Sequence, residues 1–398
     1  MKARNIGEIN MTKLGLILLV VIISNIPLSS LAQNDFEKWK QQQSQGISEL
    51  EAEQNQYLES VTREYDNYVL EQNRQFKDFK AEVEEKWGVF KGSDAKRLVN
   101  YDPDLNSRST IDFEKGEIEV EVIVEDSPKK STSQKKEAAV AALEKKIQKV
   151  VTQPAIDKAP ILADQVKDQT GKKISPAIAK TYAKETVKKQ EIHKTVEKAK
   201  DGKTRVKYTI KLKMVPDHVE VRAKRFKAEI LKQSKRFDID PAIAFAIMQT
   251  ESAFNPEARS HIPAFGLMQL VPKSGARDAY NYVYKKDILL SGKYLYNPNN
   301  NIELGCAYIS KLRHVYFRRI KNTKTAYYCT IAAYNTGAGN VARALTGTTK
   351  LRPTAEVANS KTPDQIYDEL LRKLPYKETQ DYLEKVNERM SYYQEWTR

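Results

Sequence analysis

The chain has 398 residues, of which 40% are hydrophobic and 30% charged, with a formal net charge of +15. That length predicts two or more domains with ample material for a core, and the composition is that of a soluble, helix-leaning chain. Two cysteines exclude a disulfide framework and four scattered histidines lack metal-ligand spacing, so neither a metal nor another cofactor is expected. The basic surplus suits an anionic partner such as nucleic acid, anionic lipid or an acidic polymer, but no nucleic-acid motif accompanies it.

The chain opens with a basic head (Lys2, Arg4, Lys13) and an almost continuously apolar run from Leu14 to Ile26, short for a membrane span. Ser30-Leu31-Ala32 offers small residues for a cut, so residues 1–32 are expected to be an export leader. From Ile47 to Trp87, apolar residues recur at steps of three and four (Leu50, Tyr57, Leu58, Val61, Tyr65, Tyr68, Val69, Phe76, Phe79, Val83). This is one face of a long helix, with Gly46 a candidate break, and the stripe is expected to be core.

Two alternating segments follow. Ile118, Val120, Val122 and Val124 share one face, opposite Glu117, Glu119, Glu121 and Glu125. Val206, Tyr208, Ile210, Leu212 and Met214 share another, opposite Arg205, Lys207, Lys211 and Lys213. A half-buried sheet has this period of two, and acidic and basic outer faces predict that the two strands are neighbours. Lys115-Gly116 marks a turn, so Thr110–Phe113 is expected to add a third strand by hairpin. Lys-rich helices are expected near 134–151 and 176–200, with a loop containing short helical pieces between them. Residues 33–215 therefore read as a small β-sheet covered by helices, the long helix included. Residues 216–398 read as an almost wholly helical domain, which makes the chain α+β overall.

The second domain contains Asp240-Pro241-Ala242-Ile243-Ala244-Phe245-Ala246-Ile247-Met248-Gln249-Thr250-Glu251-Ser252. Asp240 is placed as an N-cap and Pro241 at the first helical position. A helix apolar nearly all round is a core helix, and it carries Glu251 at its end into apolar surroundings. Desolvation there raises a carboxyl pKa, which suits a general acid. Fifteen residues on stands Gly266-Leu267-Met268-Gln269, then Asn297-Pro298-Asn299-Asn300-Asn301-Ile302-Glu303-Leu304-Gly305, then Ala333-Tyr334-Asn335-Thr336-Gly337, and finally Pro375-Tyr376-Lys377-Glu378-Thr379-Gln380-Asp381-Tyr382.

In this order and spacing the motifs resemble the lytic transglycosylases with a goose-type lysozyme-like catalytic domain, over about residues 220–392. Arg108-Ser109-Thr110-Ile111-Asp112-Phe113-Glu114-Lys115-Gly116 is similar to the domain that precedes the catalytic part in the membrane-bound group of that family. The resemblance implies a substrate, the β-1,4 bond between N-acetylmuramic acid and N-acetylglucosamine in peptidoglycan. It also implies non-hydrolytic cleavage, with Glu251 as acid and then base, Tyr382 orienting it, and Ser252, Met268, Gln269, Tyr334 and Asn335 lining the sugar subsites. Alternatives are a muramidase that uses water, a non-catalytic wall binder, and a nucleic-acid binder, which the export leader disfavours. A periplasmic location follows from the leader, with an uncleaved leader that anchors the chain to a membrane as the alternative; without a Cys near the cut a lipid anchor is not expected there, and the partners expected are glycan strands and other cell-wall enzymes. Cys306 and Cys329 are read as small core residues on neighbouring helices in preference to a disulfide pair.

Overall fold

The computed structural model describes residues 30–128, 131–155, 158–260 and 263–397, so most of the expected leader lies outside the described residues. Two compact units divide the chain, Met1–Tyr65 and Asp66–Arg398, and helix α1 (Ser30–Trp87) belongs to both. It runs through Gly46 without a break, which corrects the expected interruption. Among the described side chains of the stripe, Val83 and Trp87 at its end are buried, whereas Phe76 and Phe79 are exposed. The side chains expected along the stripe at 47–61 lie outside the described ones. No described helix is long and apolar enough to cross a membrane.

Beyond α1 come strands β1 (Arg97–Tyr101), β2 (Ser107–Asp112) and β3 (Glu117–Glu125), helices α2 (Thr132–Thr152) and α3 (Ala179–Lys189), and strands β4 (His193–Lys198) and β5 (Thr204–Lys213). They form one antiparallel sheet in the order β1-β2-β3-β5-β4. The expected pairing of the two alternating segments is present. Glu117 lies across from Lys213, Glu119 from Lys211 and Glu125 from Arg205, while Ile118, Val120 and Val122 face the core with Leu212, Ile210 and Tyr208. Leu143, Ile147 and Val150 of α2 and Val187 of α3 close that core. The hairpin between β2 and β3 turns at Gly116, at φ +70, where an added Cβ would stand 2.6 Å from Nε2 of His218.

Two expectations in this region are corrected. The second Lys-rich helix stops at Lys189, and His193–Lys198 is an edge strand. Its side chains are nearly all exposed, so pairing with β5 overrides a weak helical period there. The described residues of the linker from Gln153 to Lys173 form turns and isolated bridges, between Pro154 and Pro160 and between Lys167 and Lys173, instead of helical pieces.

The remainder is helical: α4 (His218–Arg236), α5 (Pro241–Ser252), α6 (Arg277–Tyr284), α7 (Gly292–Tyr296), α8 (Pro298–Lys311), α9 (Thr323–Thr336), α10 (Ala338–Thr346), α11 (Leu351–Asn359), α12 (Pro363–Lys373) and α13 (Lys377–Thr397). Helix α5 is the centre of this core, and Ala242 through Met248 have no exposed surface. Asp240 caps it by accepting from the Ala242 amide at 2.9 Å, and Pro241 stands at its first turn. Cys306 and Cys329 are free and buried in this core.

Arg222 of α4 fastens the sheet to α5. It is 1% exposed. Its Nε donates to the Ala253 carbonyl at 2.8 Å, Nη1 donates to Oε1 of Gln165 at 2.5 Å, and Nη2 donates to the Phe113 carbonyl. Burial pulls its pKa down to about 9, so it stays charged at neutral pH. Arg222→Met leaves those buried acceptors without donors. It should lower unfolding stability in urea by about 2–4 kcal/mol, and Arg222→Lys should recover little because one ammonium does not reproduce a planar fork.

Candidate active site

The site grows from the end of α5. The helix stops at a left-handed cap, Ala253 (φ 49), followed at once by Phe254 (φ 60). Left-handed backbone costs a non-glycine residue roughly 1–2 kcal/mol, so two in succession persist only if their surroundings hold them. Phe254 is fully buried against Phe245 and Tyr393, and Arg222 holds the Ala253 carbonyl. This fixed turn sets the direction of Glu251.

Glu251 is partly buried, and its Oε1 accepts from the Tyr382 hydroxyl of α13 at 2.7 Å. Burial is the largest influence on the carboxyl and pushes its pKa up to about 7, against the Tyr382 bond and the Lys96 charge, with Glu378 adding to the rise. Tyr382 is itself 6% exposed, and desolvation and then the facing carboxylate raise its pKa well above the ordinary phenol value. Tyr334 of α9 is raised in the same way, by burial first and then by Glu251. Its hydroxyl donates to the Met268 carbonyl at 2.8 Å, and its ring meets that of Tyr308 at 5.4 Å.

The turn 266–269 is locked from behind. Gly266 has φ +73, and a Cβ there would fall 2.6 Å from both Asn301 Nδ2 and the Leu295 carbonyl. Asn301 is fully buried. It accepts from the Met268 amide and donates to the Phe265 and Leu295 carbonyls, each at 2.8 Å. Gly305 leaves room for the Met268 thioether, since a Cβ would stand 2.1 Å from its sulfur.

The expected site residues therefore divide. Glu251 and Tyr382 touch, and Tyr334 lies within electrostatic reach of Glu251. Gln269, in the left-handed region at φ 46, donates through Nε2 to the Gly266 and Ala258 carbonyls, while its buried Oε1 has no hydrogen-bond partner. Asn335 accepts from the Thr379 hydroxyl at 2.6 Å, joining the end of α9 to the start of α13. Ser252 and Met268, expected along the sugar subsites, are fully buried. The Ser252 hydroxyl lies 2.6 Å from the Leu267 carbonyl and ties α5 to the turn, and Met268 packs inward. Asn301 and Arg222 were not singled out from the sequence. Asn301 is one of three successive asparagines, and Arg222 is one of many basic residues on an amphipathic helix, so nothing local separates them from their neighbours.

No metal-binding cluster of His, Cys, Asp or Glu occurs among the described residues. What the arrangement offers is one carboxyl that shares its proton near neutral pH, one phenol bonded to it, and a rigid turn with an unsatisfied amide oxygen. That is acid–base chemistry on a polar, uncharged group.

Comparison with known proteins defines the class. Residues 229–356 match the Transglycosylase SLT domain family, so the chain is a lytic transglycosylase. Residues 55–225 match the family described as the N-terminal domain of membrane-bound lytic murein transglycosylase C. The chain is 34% identical over 315 residues to the membrane-bound lytic murein transglycosylase C of Klebsiella pneumoniae, covering 77% of this chain and 84% of that protein. It is 33% identical to the Salmonella arizonae protein of the same name over the same shares, and 33% identical to that of Photorhabdus laumondii over 77% of this chain and 85% of the other. The chain belongs to the membrane-bound lytic murein transglycosylase C family.

The raised carboxyl has a consequence for stability. Between the unfolded value of 4.5 and the folded value of about 7, the folded state binds a proton that the unfolded state has lost, so stability falls as pH rises through that window. Glu251→Gln does not titrate. It should exceed the parent in stability above about pH 7.5 by on the order of 2 kcal/mol, and the gap should close below about pH 4.5, as read from urea midpoints across pH.

Proposed function

We propose that the enzyme cleaves the β-1,4 bond between N-acetylmuramic acid and N-acetylglucosamine without water, leaving a 1,6-anhydro sugar end. Glu251 acts twice. As an acid it protonates the departing glycosidic oxygen. As a carboxylate it then takes the proton from the C6 hydroxyl of the muramic residue, which closes onto C1. The muramic N-acetyl group stabilises the cationic intermediate, as in substrate-assisted glycosidases.

The observation that carries this reading is the Glu251 carboxyl itself, held by burial at a pKa of about 7 and bonded to Tyr382. A group with that value serves as acid and as base at neutral pH with little penalty either way. Hydrolases of this kind use a second carboxylate as nucleophile or to activate water. The other carboxylate acting on Glu251 is Glu378, on the first turn of α13, which is exposed and has no fixed geometry toward it among the described contacts. The unsatisfied Gln269 amide oxygen supports a role in holding a sugar hydroxyl or N-acetyl N–H, with the Tyr334 hydroxyl bonded to the carbonyl of the preceding residue, Met268, and Asn335 next to Tyr334 at the end of α9.

The proposed substrate bond lies in the cell wall, and the membrane-bound relatives, with the leader expected from the sequence, support an envelope location. Residues 216–398 would form the catalytic domain and 33–215 the domain before it.

Glu251→Gln should reduce cleavage of purified sacculi at least ~1000-fold while leaving sedimentation with them intact, because an amide keeps the shape and loses the proton. Mass spectrometry of the parent's products should give muropeptides lighter by one water than a muramidase yields, and full-mass products would replace this reading with hydrolysis. Tyr382→Phe removes the donor that favours the anion, so the alkaline limb of the rate profile should move to higher pH while the maximal rate falls about tenfold.

A further inference from the structure

The sheet reaches the end of α5 from both sides of Glu251. After it, Nδ2 of the fully buried Asn255 donates to the Ala95 carbonyl at 3.4 Å, where the chain enters β1. Before it, the Thr250 hydroxyl, which donates to the Ala246 carbonyl at 2.7 Å, accepts from Nη1 of Arg389 at 2.9 Å. Nη2 of the same guanidinium lies 3.4 Å from Oε1 of Glu114, on the turn between β2 and β3. That carboxylate oxygen also receives Nζ of Lys96, at 2.5 Å. The Lys96 backbone is fixed in turn, with its carbonyl accepting from the Phe113 amide at 2.9 Å and its amide donating to Asp94 at 2.9 Å. A ladder thus runs Lys96–Glu114–Arg389–Thr250 and ends one residue from Glu251.

Glu114 is the centre of the ladder. Burial pushes its carboxyl up, but Lys96 and then Arg389 outweigh burial and hold it below its ordinary value, so it is charged at neutral pH. Lys96 is the sheet cation whose field acts on Glu251. The other ionisable groups facing Glu251 are Tyr382 and Glu378 of α13 and Tyr334 of α9. The phenols stay neutral at working pH, so the sign of the local field is set by Lys96 and Arg389, by Glu114 between them, and by Glu378.

We propose that Glu114 and Lys96 are positioning residues for the reaction: Glu114 engages the Lys96 ammonium and anchors Arg389 against Thr250, so that the sheet supports Glu251 without drawing off its proton. This rests on Glu251 being the general acid. It assigns the sheet a part in the chemical step, through charges that do not touch the glycan.

The signs are opposite for the two partners. Lys96→Met removes a positive charge that favours the Glu251 carboxylate, so the alkaline limb of kcat/KM should move to higher pH, by about half a unit. Glu114→Gln leaves the Lys96 ammonium and the Arg389 guanidinium uncompensated, so the limb should move to lower pH by a similar amount, with a loss of about twofold near pH 7 and about threefold well above it. The double variant K96M/E114Q should return to within about 0.2 unit of the parent, because the pair is then neutral as before. Rates on soluble glycan strands are measured at constant ionic strength, since these charges are partly screened.

A role confined to holding the fold would lower the rate equally at every pH and leave the limb in place, and that result in Lys96→Met overturns the proposal. Lys96→Met carries the test alone if Glu114→Gln does not fold, because the lysine is at the sheet margin and its loss leaves Glu114 with Arg389. Glu251→Gln separates the two levels. If it is inactive and the limb does not move, the ladder fails and the acid assignment stands; if it is active, the acid assignment fails with the ladder.

Discussion

The structure depends on one opposition, between the desolvation of the Glu251 carboxyl and the single phenol that bonds it. Helix α5 is apolar and without exposed surface from Ala242 to Met248, so the carboxyl that follows enters a wall of low polarity. There an unpaired charge is costly, and the proton remains bound to a pH at which an ordinary carboxyl has lost it. The consequences extend outward. The carboxyl must be aimed, so the helix ends in two left-handed residues, and these need the aromatic packing of Phe254 and the guanidinium of Arg222. The opposing turn must not relax toward the carboxyl, so Asn301 fills its hydrogen bonds from behind and Gly305 admits Met268 beneath it.

The sheet and the helical part meet at this same point. Arg222 joins Phe113 and Gln165 to Ala253, Asn255 reaches Ala95, and Arg389 links Thr250 to Glu114. Each contact falls within a few residues of Glu251. A buried guanidinium with neutral acceptors is weakly stabilising overall but very specific in direction, since its donors form a planar fork. Joining two layers with such a group fixes their relative register more than it deepens the core. The hydrophobic cores of the sheet and of the helices remain largely separate clusters, with Ala253 packed into that of the sheet.

Much of this was legible in the sequence where a periodic signal coincides with a strong physical requirement. The alternation of Val and Glu in β3 and of Lys and Ile in β5 specified two strands and their adjacency, because a one-residue slip would have turned the apolar set away from the core; it did not show that the charged face is partly covered, where Glu121 is buried against Arg108 and Arg205 against Asp201. Glu251 stood out because an acid followed an apolar helix. The failures share a cause. Residues 193–198 carry a faint period of either kind, and what decides is the free edge of β5, which no local window reveals. The stripe on α1 predicted burial at Phe76 and Phe79, which are exposed, because amphipathicity does not say how much of a face is covered. Ser252 and Met268 belong to the right motifs, but a motif identifies a place in the chain, not which way a side chain turns. The Ser252 hydroxyl turns to a carbonyl fifteen residues on, and Met268 turns toward the space left by Gly305. Arg222, Asn301, Lys96 and Glu114 act through partners far away in sequence, and their residue types are common on any solvated helix or turn.

On the proposed chemistry the two opposing influences on Glu251 have distinct uses. Burial alone would give a willing acid that makes a reluctant carboxylate, because the anion left after protonating the leaving group would lie unsupported in an apolar wall. The Tyr382 hydroxyl donates to Oε1, and a charge-assisted bond of this kind strengthens as the carboxyl becomes an anion. It therefore stabilises the state between the two proton transfers more than the states on either side. A single carboxyl that gives a proton and then takes one must not be strongly biased either way, and a value near 7 satisfies both steps. An enzyme with a second carboxylate divides these tasks between two environments. Here one environment carries both, which is why the carboxyl is bonded by one neutral phenol and why the nearest sheet cation, Lys96, is held against a carboxylate.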